Sequence, residues 1–197
     1  MNSKMDKRGF PTVEDMDEYM ISQWNSRVRK KDEVVILGDF SWGSTEQTNK
    51  LLRELKGRKY LVLGNHDIYV GKKDFDKSLL EWIGPYREMN DEGRFVVLCH
   101  YPIMCYNKQF RKDGNGNPKT FMLYGHVHNT TDEQLIESYI RMANGTPRPS
   151  YQEDRFDYTP IQMINCFCMF SDYVPLTLDE WIENDKNRRK EAKHILA

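Results

Sequence analysis

The chain has 197 residues, 39% hydrophobic and 30% charged, with a formal net charge of -1. That is enough for one substantial core and reads as a single domain over 1-197. The near-neutral balance offers no broad attraction to nucleic acid or anionic membrane.

No apolar run approaches the roughly 20 residues of a membrane span, and Met1-Asn2-Ser3-Lys4-Met5-Asp6 carries no signal-like apolar segment. Cysteines 99, 105, 166 and 168 are few, and two lie in apolar runs. Their pattern reads as reduced thiols in a cytoplasmic protein.

Residues 1-11 show no period. Thr12, with Asp15 three residues on, opens a helix whose Val13, Met16, Met20, Trp24 and Val28 form one apolar stripe, predicted to be buried. Lys30-Lys31-Asp32 turns the chain into a strand over Val34 to Leu37. Ser44 with Gln47 opens a second helix that turns Leu51, Leu52 and Leu55 inward and stops at Gly57. Tyr60 to Leu63 is the next strand. All-apolar strands alternating with helices imply a parallel sheet covered on both faces.

Further on, Phe75 to Ile83 is predicted helical, ended by Gly84-Pro85. Tyr86 to Met89 and Phe95 to Cys99 form a hairpin around Asn90-Asp91-Glu92-Gly93. Asp113 to Pro118 opens like a calcium loop, but Pro118 and Tyr124 stand where that loop needs glycine and glutamate, so it reads as a hairpin or mobile loop. After the strand Phe121 to Tyr124, Thr131 with Gln134 caps a helix that ends near Gly145. Residues 146-159 are polar and irregular, and Ile161 to Cys168 is a last strand. Thr177 with Glu180 caps a C-terminal helix over 178-197, whose Lys186, Arg188, Arg189, Lys190 and Lys193 read as a solvated face.

Four apolar runs end in chemistry. Val34 to Leu37 leads to Gly38-Asp39, and Leu61 to Leu63 to Gly64-Asn65-His66-Asp67. Phe95 to Cys99 leads to His100, and Phe121 to Tyr124 to Gly125-His126-Val127-His128. In open α/β sheets the carboxyl ends of strands are where ligands collect. Asp, Asn and His without thiolate suit manganese, iron or zinc. Two such ions about 3.5 to 4 Å apart can clamp an in-line phosphoryl displacement and generate a metal-bound hydroxide nucleophile.

Taken in this order, the four motifs resemble the calcineurin-like metallophosphoesterase superfamily. The segments Trp24 to Phe40 and His100-Tyr101-Pro102 are similar to its small single-domain bacterial and phage phosphoesterases. The resemblance implies a four-layered α/β/β/α sandwich. It also implies that Asp39 bridges two metals, that Asn65, His100 and His126 complete the second site, and that His128 belongs to the first. His66 would stabilise the transition state or protonate the leaving oxygen, oriented by Asp67. Phe40 and Tyr101 are candidates to line the pocket, with packing at least an equal alternative, and Phe110 and Arg111 beside the 113-118 loop are candidates to contact a phosphate.

The expected function is hydrolysis of a small phosphoester, a phosphodiester or nucleotide-type bond. The alternative is a catalytically impaired scaffold, and a nuclease has little electrostatic support. One departure matters: the superfamily pattern starts with a strand ending in Asp-x-His, and Met1 to Pro11 contain none, Asp6 being the sole acid. The sandwich is therefore expected to lack its first β-strand. The first site would keep only Asp39 and His128, and the chain would bind close to one metal. This matches an N-terminally shortened dinuclear enzyme, or failing that a natural one-metal or inactive variant.

Overall fold

The computed structural model describes residues 8-150 and 154-195, with side chains described as far as residue 190. It is a mixed α/β fold with four helices and three small sheets among these residues. Asp6 and most of the irregular N-terminal stretch lie outside the described residues.

Helix α1 (Val13–Arg27) is capped by Thr12, whose hydroxyl accepts from the Asp15 N–H. Its apolar stripe is shallower than the sequence predicts: Val28 just past the helix is buried, Met16, Met20 and Trp24 are half-buried, and Val13 is exposed. Polar bonds fasten the helix instead. Trp24 Nε1 donates to the Lys56 carbonyl, Asn25 to the Glu54 carbonyl, and Arg27 pairs with Glu180 at 2.6 Å.

Strand β1 (Glu33–Ile36), helix α2 (Thr45–Glu54) and strand β2 (Arg58–Val62) follow as expected. The Ser44–Gln47 capping box is fully formed at the start of α2. The segment predicted as a helix over 75-83 is different. Lys77–Leu79 makes one 3₁₀ turn, and Trp82–Gly84 is a strand, β3, parallel to β2. A short apolar run has no period of its own to enforce. The free edge of β2 decides it, with Glu81 N–H donating to the Lys59 carbonyl and Leu63 N–H to that of Gly84. The first sheet thus runs β1-β2-β3, and β1 pairs with β2 alone among the described residues, its Val34, Val35 and Ile36 half-buried.

The predicted hairpin is present as β4 (Tyr86–Asp91) and β5 (Arg94–Cys99), antiparallel through Glu92-Gly93. Both turn residues have positive φ, 48° and 83°, the primed turn whose twist matches the strands. Strand β6 (Thr120–Tyr124) adds parallel to β5, and Lys112 bridges Pro118 across the preceding loop. Helix α3 (Thr131–Gly145) starts one residue early, because Thr130 and not Thr131 is the cap. Short strands β7 (Arg148–Pro149) and β8 (Phe156–Asp157) pair within the polar stretch. The last strand, β9 (Met163–Asn165), is shorter than expected: the buried Asn165 side chain accepts from Phe167 N–H and turns the chain, and Cys168–Ser171 is a 3₁₀ turn. Helix α4 (Leu178–Ile195) carries the predicted Thr177–Glu180 cap.

Three apolar clusters organise these elements. Leu52 of α2 packs with Leu61, Phe75 and Leu80 on the first sheet. Val62, Val35 and Trp82 meet Val96, Leu98, Phe121, Leu123 and Ile164 of the second sheet, with Leu178 and Trp181 of α4. Val97, Met122, Tyr124 and Met163 turn the other way, onto Ile140 and Ala143 of α3.

The basic run of α4 is not simply a solvated face. Arg188 lies within 3.3 Å of Glu133, 3.7 Å of Glu137 and 2.9 Å of Asp185, and Arg189 within 2.7 Å of Asp185. Glu133, 3% exposed, also accepts from the Tyr124 hydroxyl at 2.8 Å. Burial raises the Glu133 pKa, against the opposing pull of Tyr124 and the two arginines. Removing one partner of a buried pair strands the other charge. Arg188→Met should therefore cost about 3 kcal/mol at neutral pH. A group whose folded pKa is raised loses stability as pH climbs through that value, so the deficit should shrink as pH falls toward the carboxylate range. Denaturant melts at several pH values would show it.

Candidate metal centre

The ends of β1, β2, β5 and β6 converge, as the placement of polar residues after apolar runs predicts. Asp39, His100 and His126 form a group whose ligand atoms all lie within 4.8 Å of one another. His100 is the pivot, 1% exposed. Its Nδ1 lies 2.7 Å from the Leu37 carbonyl, which can only accept, so Nδ1 carries the proton and Nε2 keeps its lone pair. That Nε2 lies 3.3 Å from Asp39 Oδ2, 3.3 Å from Asn65 Oδ1 and 3.2 Å from His126 Nδ1. Two oxygens and two imidazole nitrogens thus converge, a set of atoms able to ligate a cation. The donor set fits a divalent transition ion.

Burial opposes charge on Asp39, yet the neighbouring His100 and the hydrogen bond from the His66 N–H keep its carboxyl below the usual range. Burial also opposes charge on His100, but the neighbouring Asp39 raises its pKa. Burial, then the field of His100, pushes His126 down.

Backbone geometry at the site is special. Asp39, His126 and His128 all have positive φ, 52°, 61° and 49°, a region that costs a non-glycine residue free energy and concentrates at functional sites. The loops also touch. A Cβ on Gly38 would lie 2.5 Å from His100 Nδ1, and one on Gly64 2.2 Å from Asp39 Oδ1, so neither position has room for a side chain.

Asp67 holds this contact. At 4% exposure, its Oδ2 accepts from Asp39 N–H at 2.9 Å and Gly64 N–H at 2.7 Å. Its Oδ1 accepts from Phe40 N–H at 2.9 Å and the Tyr69 hydroxyl at 2.8 Å. The expected partner, His66, receives none of these bonds. Asp67 is a brace between the β1 and β2 loops, and the reason is its depth, since a carboxylate buried here must be satisfied by the nearest donors, which are backbone. The exposed His66 uses its own N–H on Asp39 Oδ1 at 2.8 Å, while its ring lies 4.3 Å from that of Trp42.

His128 falls outside the ligand group. Its ring stacks on Phe167 at 4.6 Å and 9°, and its carbonyl accepts from Asn165 Nδ2. Tyr101 rests on His126 and His100, with ring centroids 4.5 and 5.0 Å away. Phe40 packs into the α2 cluster, and Phe110 lies under the Arg148 guanidinium. Sequence reasoning missed Asn165, Tyr69 and Trp42. Asn165 lies inside the run Ile161 to Cys168, so nothing in the sequence marked it as a strand end.

A carboxylate and two imidazoles at the carboxyl ends of parallel strands define a metallohydrolase-type centre. The chain belongs to the calcineurin-like phosphoesterase family, whose model matches residues 9–196. The chain is 33% identical over 129 residues to an uncharacterised protein of Methanocaldococcus jannaschii, covering 64% of this chain and 61% of that one. It is 40% identical over 142 residues to the Gene 66 protein of Mycobacterium phage L5, with 59% and 66% covered. The Gene 66 protein of phage D29 is 46% identical over 132 residues, with 58% and 66% covered. The chain thus spans 61% to 66% of the length of these relatives. A crystal structure of a protein of unknown function from Aquifex aeolicus shares the fold, with TM-score 0.57 and 22% identity over 92% of this chain and 88% of that one.

Asp67→Asn places an amide NH₂ either against the Asp39 and Gly64 N–H groups or against the Phe40 N–H and the Tyr69 hydroxyl, so it should cost about 2 to 4 kcal/mol in a denaturant melt. Saturating Mn²⁺, at about a hundred times Kd, should raise the melting temperature of the parent by about 5 to 10 °C. Asp39→Asn should remove more of that rise than His126→Ala, because Asp39 is the only anionic donor of the group. The reverse order would contradict this ligand assignment.

Proposed function

We propose that the protein is a metal-dependent phosphoesterase acting on a small phosphodiester or nucleotide-type substrate. The observation that carries the reading is the convergence of candidate ligand atoms of Asp39, Asn65 and His126 around His100 Nε2 at the strand ends. Those four residues would hold one divalent ion, with Asp39 and His128 as the chain's own contribution to a second. Bound there, manganese, iron or zinc supplies Lewis-acid polarisation of the phosphoryl group and activation of water at neutral pH.

The chain's own residues do the rest. Asp39 neutralises cation charge, and its Oδ1 fixes the His66 backbone beside the metal group. The exposed His66 imidazole, beside that bonded backbone, would hold a proton for the departing alkoxide. Asp67 keeps both loops at this separation without touching the reacting atoms. The seclusion of His100 protects its neutral tautomer from competing water. The cytoplasm is the proposed location, in keeping with reduced cysteines; no helix among the described residues is long and apolar enough to cross a membrane.

The second reading, a scaffold with impaired catalysis, is favoured by one observation, the position of His128 on Phe167 outside the ligand group. Hydrolysis of bis-p-nitrophenyl phosphate with Mn²⁺ separates the two. Turnover that falls about 10²- to 10⁴-fold in His66→Ala, with the Mn²⁺-induced melting shift retained, supports general-acid catalysis. Equal activity in both proteins removes His66 from the mechanism, and no activity in either favours the scaffold.

A further inference from the structure

Beside the metal group stands a large aromatic with no structural task. Trp42 is 69% exposed, although an indole is among the most valuable side chains to bury. Its loop is not loose. On one side Phe40 N–H is held by Asp67, and the buried Ser41 hydroxyl accepts from Thr48 Oγ1 and Gly43 N–H. On the other, the Ser44–Gln47 capping box closes at once, with Gln47 Oε1 accepting from Ser44 N–H at 2.7 Å. The indole is therefore presented to solvent by a pinned backbone.

One side of that indole is against the His66 ring, at a 31° tilt and 4.3 Å. His66 is in turn bonded through its N–H to Asp39. Ile68, two residues on, is also exposed. A group esterified to a phosphate at the metal centre would lie across this surface.

We infer that Trp42 is a stacking shelf for a nucleobase, so that the substrate is a nucleotide-type phosphoester. The inference rests on the phosphoesterase reading above. A single open ring face suits a flat π system, for which base–aromatic stacking is strong and tolerant of base identity. A quaternary ammonium, as in a choline ester, is instead recognised by enclosure among several rings. The net charge of -1 argues against a long polynucleotide track and for a compact ligand.

The test is calorimetric titration of the Mn²⁺-supplemented protein with adenosine 5′-monophosphate, ribose 5-phosphate and phosphocholine. The nucleotide should bind about five- to a hundredfold tighter than ribose 5-phosphate. Trp42→Ala should shrink that preference to within about twofold, and Trp42→Phe should keep most of it. Equal binding of nucleotide and sugar phosphate, a preference that survives in Trp42→Ala, or tighter binding of phosphocholine would each overturn the shelf. Because the readout is binding, it is separable from catalysis. A protein that fails to hydrolyse bis-p-nitrophenyl phosphate yet prefers the nucleotide through Trp42 would lose the phosphoesterase reading and keep the shelf.

Discussion

The buried carboxylate of Asp67 ties the ends of two adjacent parallel strands together, and the site depends on that tie. Its oxygens take three backbone N–H groups and the Tyr69 hydroxyl, so the donors left over at the ends of β1 and β2 find their acceptor in one side chain. Burial and the Asp67 charge push the Tyr69 pKa up, so the phenol remains a donor. With the loops drawn this close, Gly38 and Gly64 have no room for a Cβ, and Asp39 points its carboxylate at His100.

The metal group is a region of unfavourable local chemistry held in place by favourable packing elsewhere. A carboxylate, an amide oxygen and a second imidazole crowd His100 Nε2, and three non-glycine residues sit at positive φ. Neither feature persists without support from around it. Support comes from His100's place at the end of β5, where Val96, Val97 and Leu98 are all buried, and from β6, whose five residues are buried without exception. The apolar clusters on both faces of that sheet make the strand ends rigid, and rigid strand ends hold the candidate ligands in place.

A second polar assembly, away from the metal group, docks the C-terminal helix. Arg188 and Arg189 reach from α4 to Glu133 and Glu137 of α3, and Arg189 also donates to the Met163 carbonyl of β9. The Tyr124 hydroxyl joins the same network from β6, whose next residues lead to His126. Helices α3 and α4 and strands β6 and β9 are thereby held in one orientation by charge as well as by apolar contact.

What the sequence determined by itself was local and periodic. Apolar runs ending in Asp39, Asn65, His100 and His126 marked both the strands and the residues that converge at their ends, because strand ends of a parallel sheet gather at one edge. The capping boxes at Ser44 and Thr177 and the Glu92-Gly93 turn were legible because they rest on neighbours within three or four residues. Tertiary structure decided the rest. Trp82 to Gly84 became a strand only because β2 had an edge to fill, and Arg188 and Arg189 turned inward only because α3 brought two glutamates opposite them. Asp67 could be seen as part of the site but not as its brace, since its four partners come from segments up to 28 residues away. The exposure of Trp42 is likewise a property of the folded surface, where a side chain's value to the core is settled by which neighbours arrive around it.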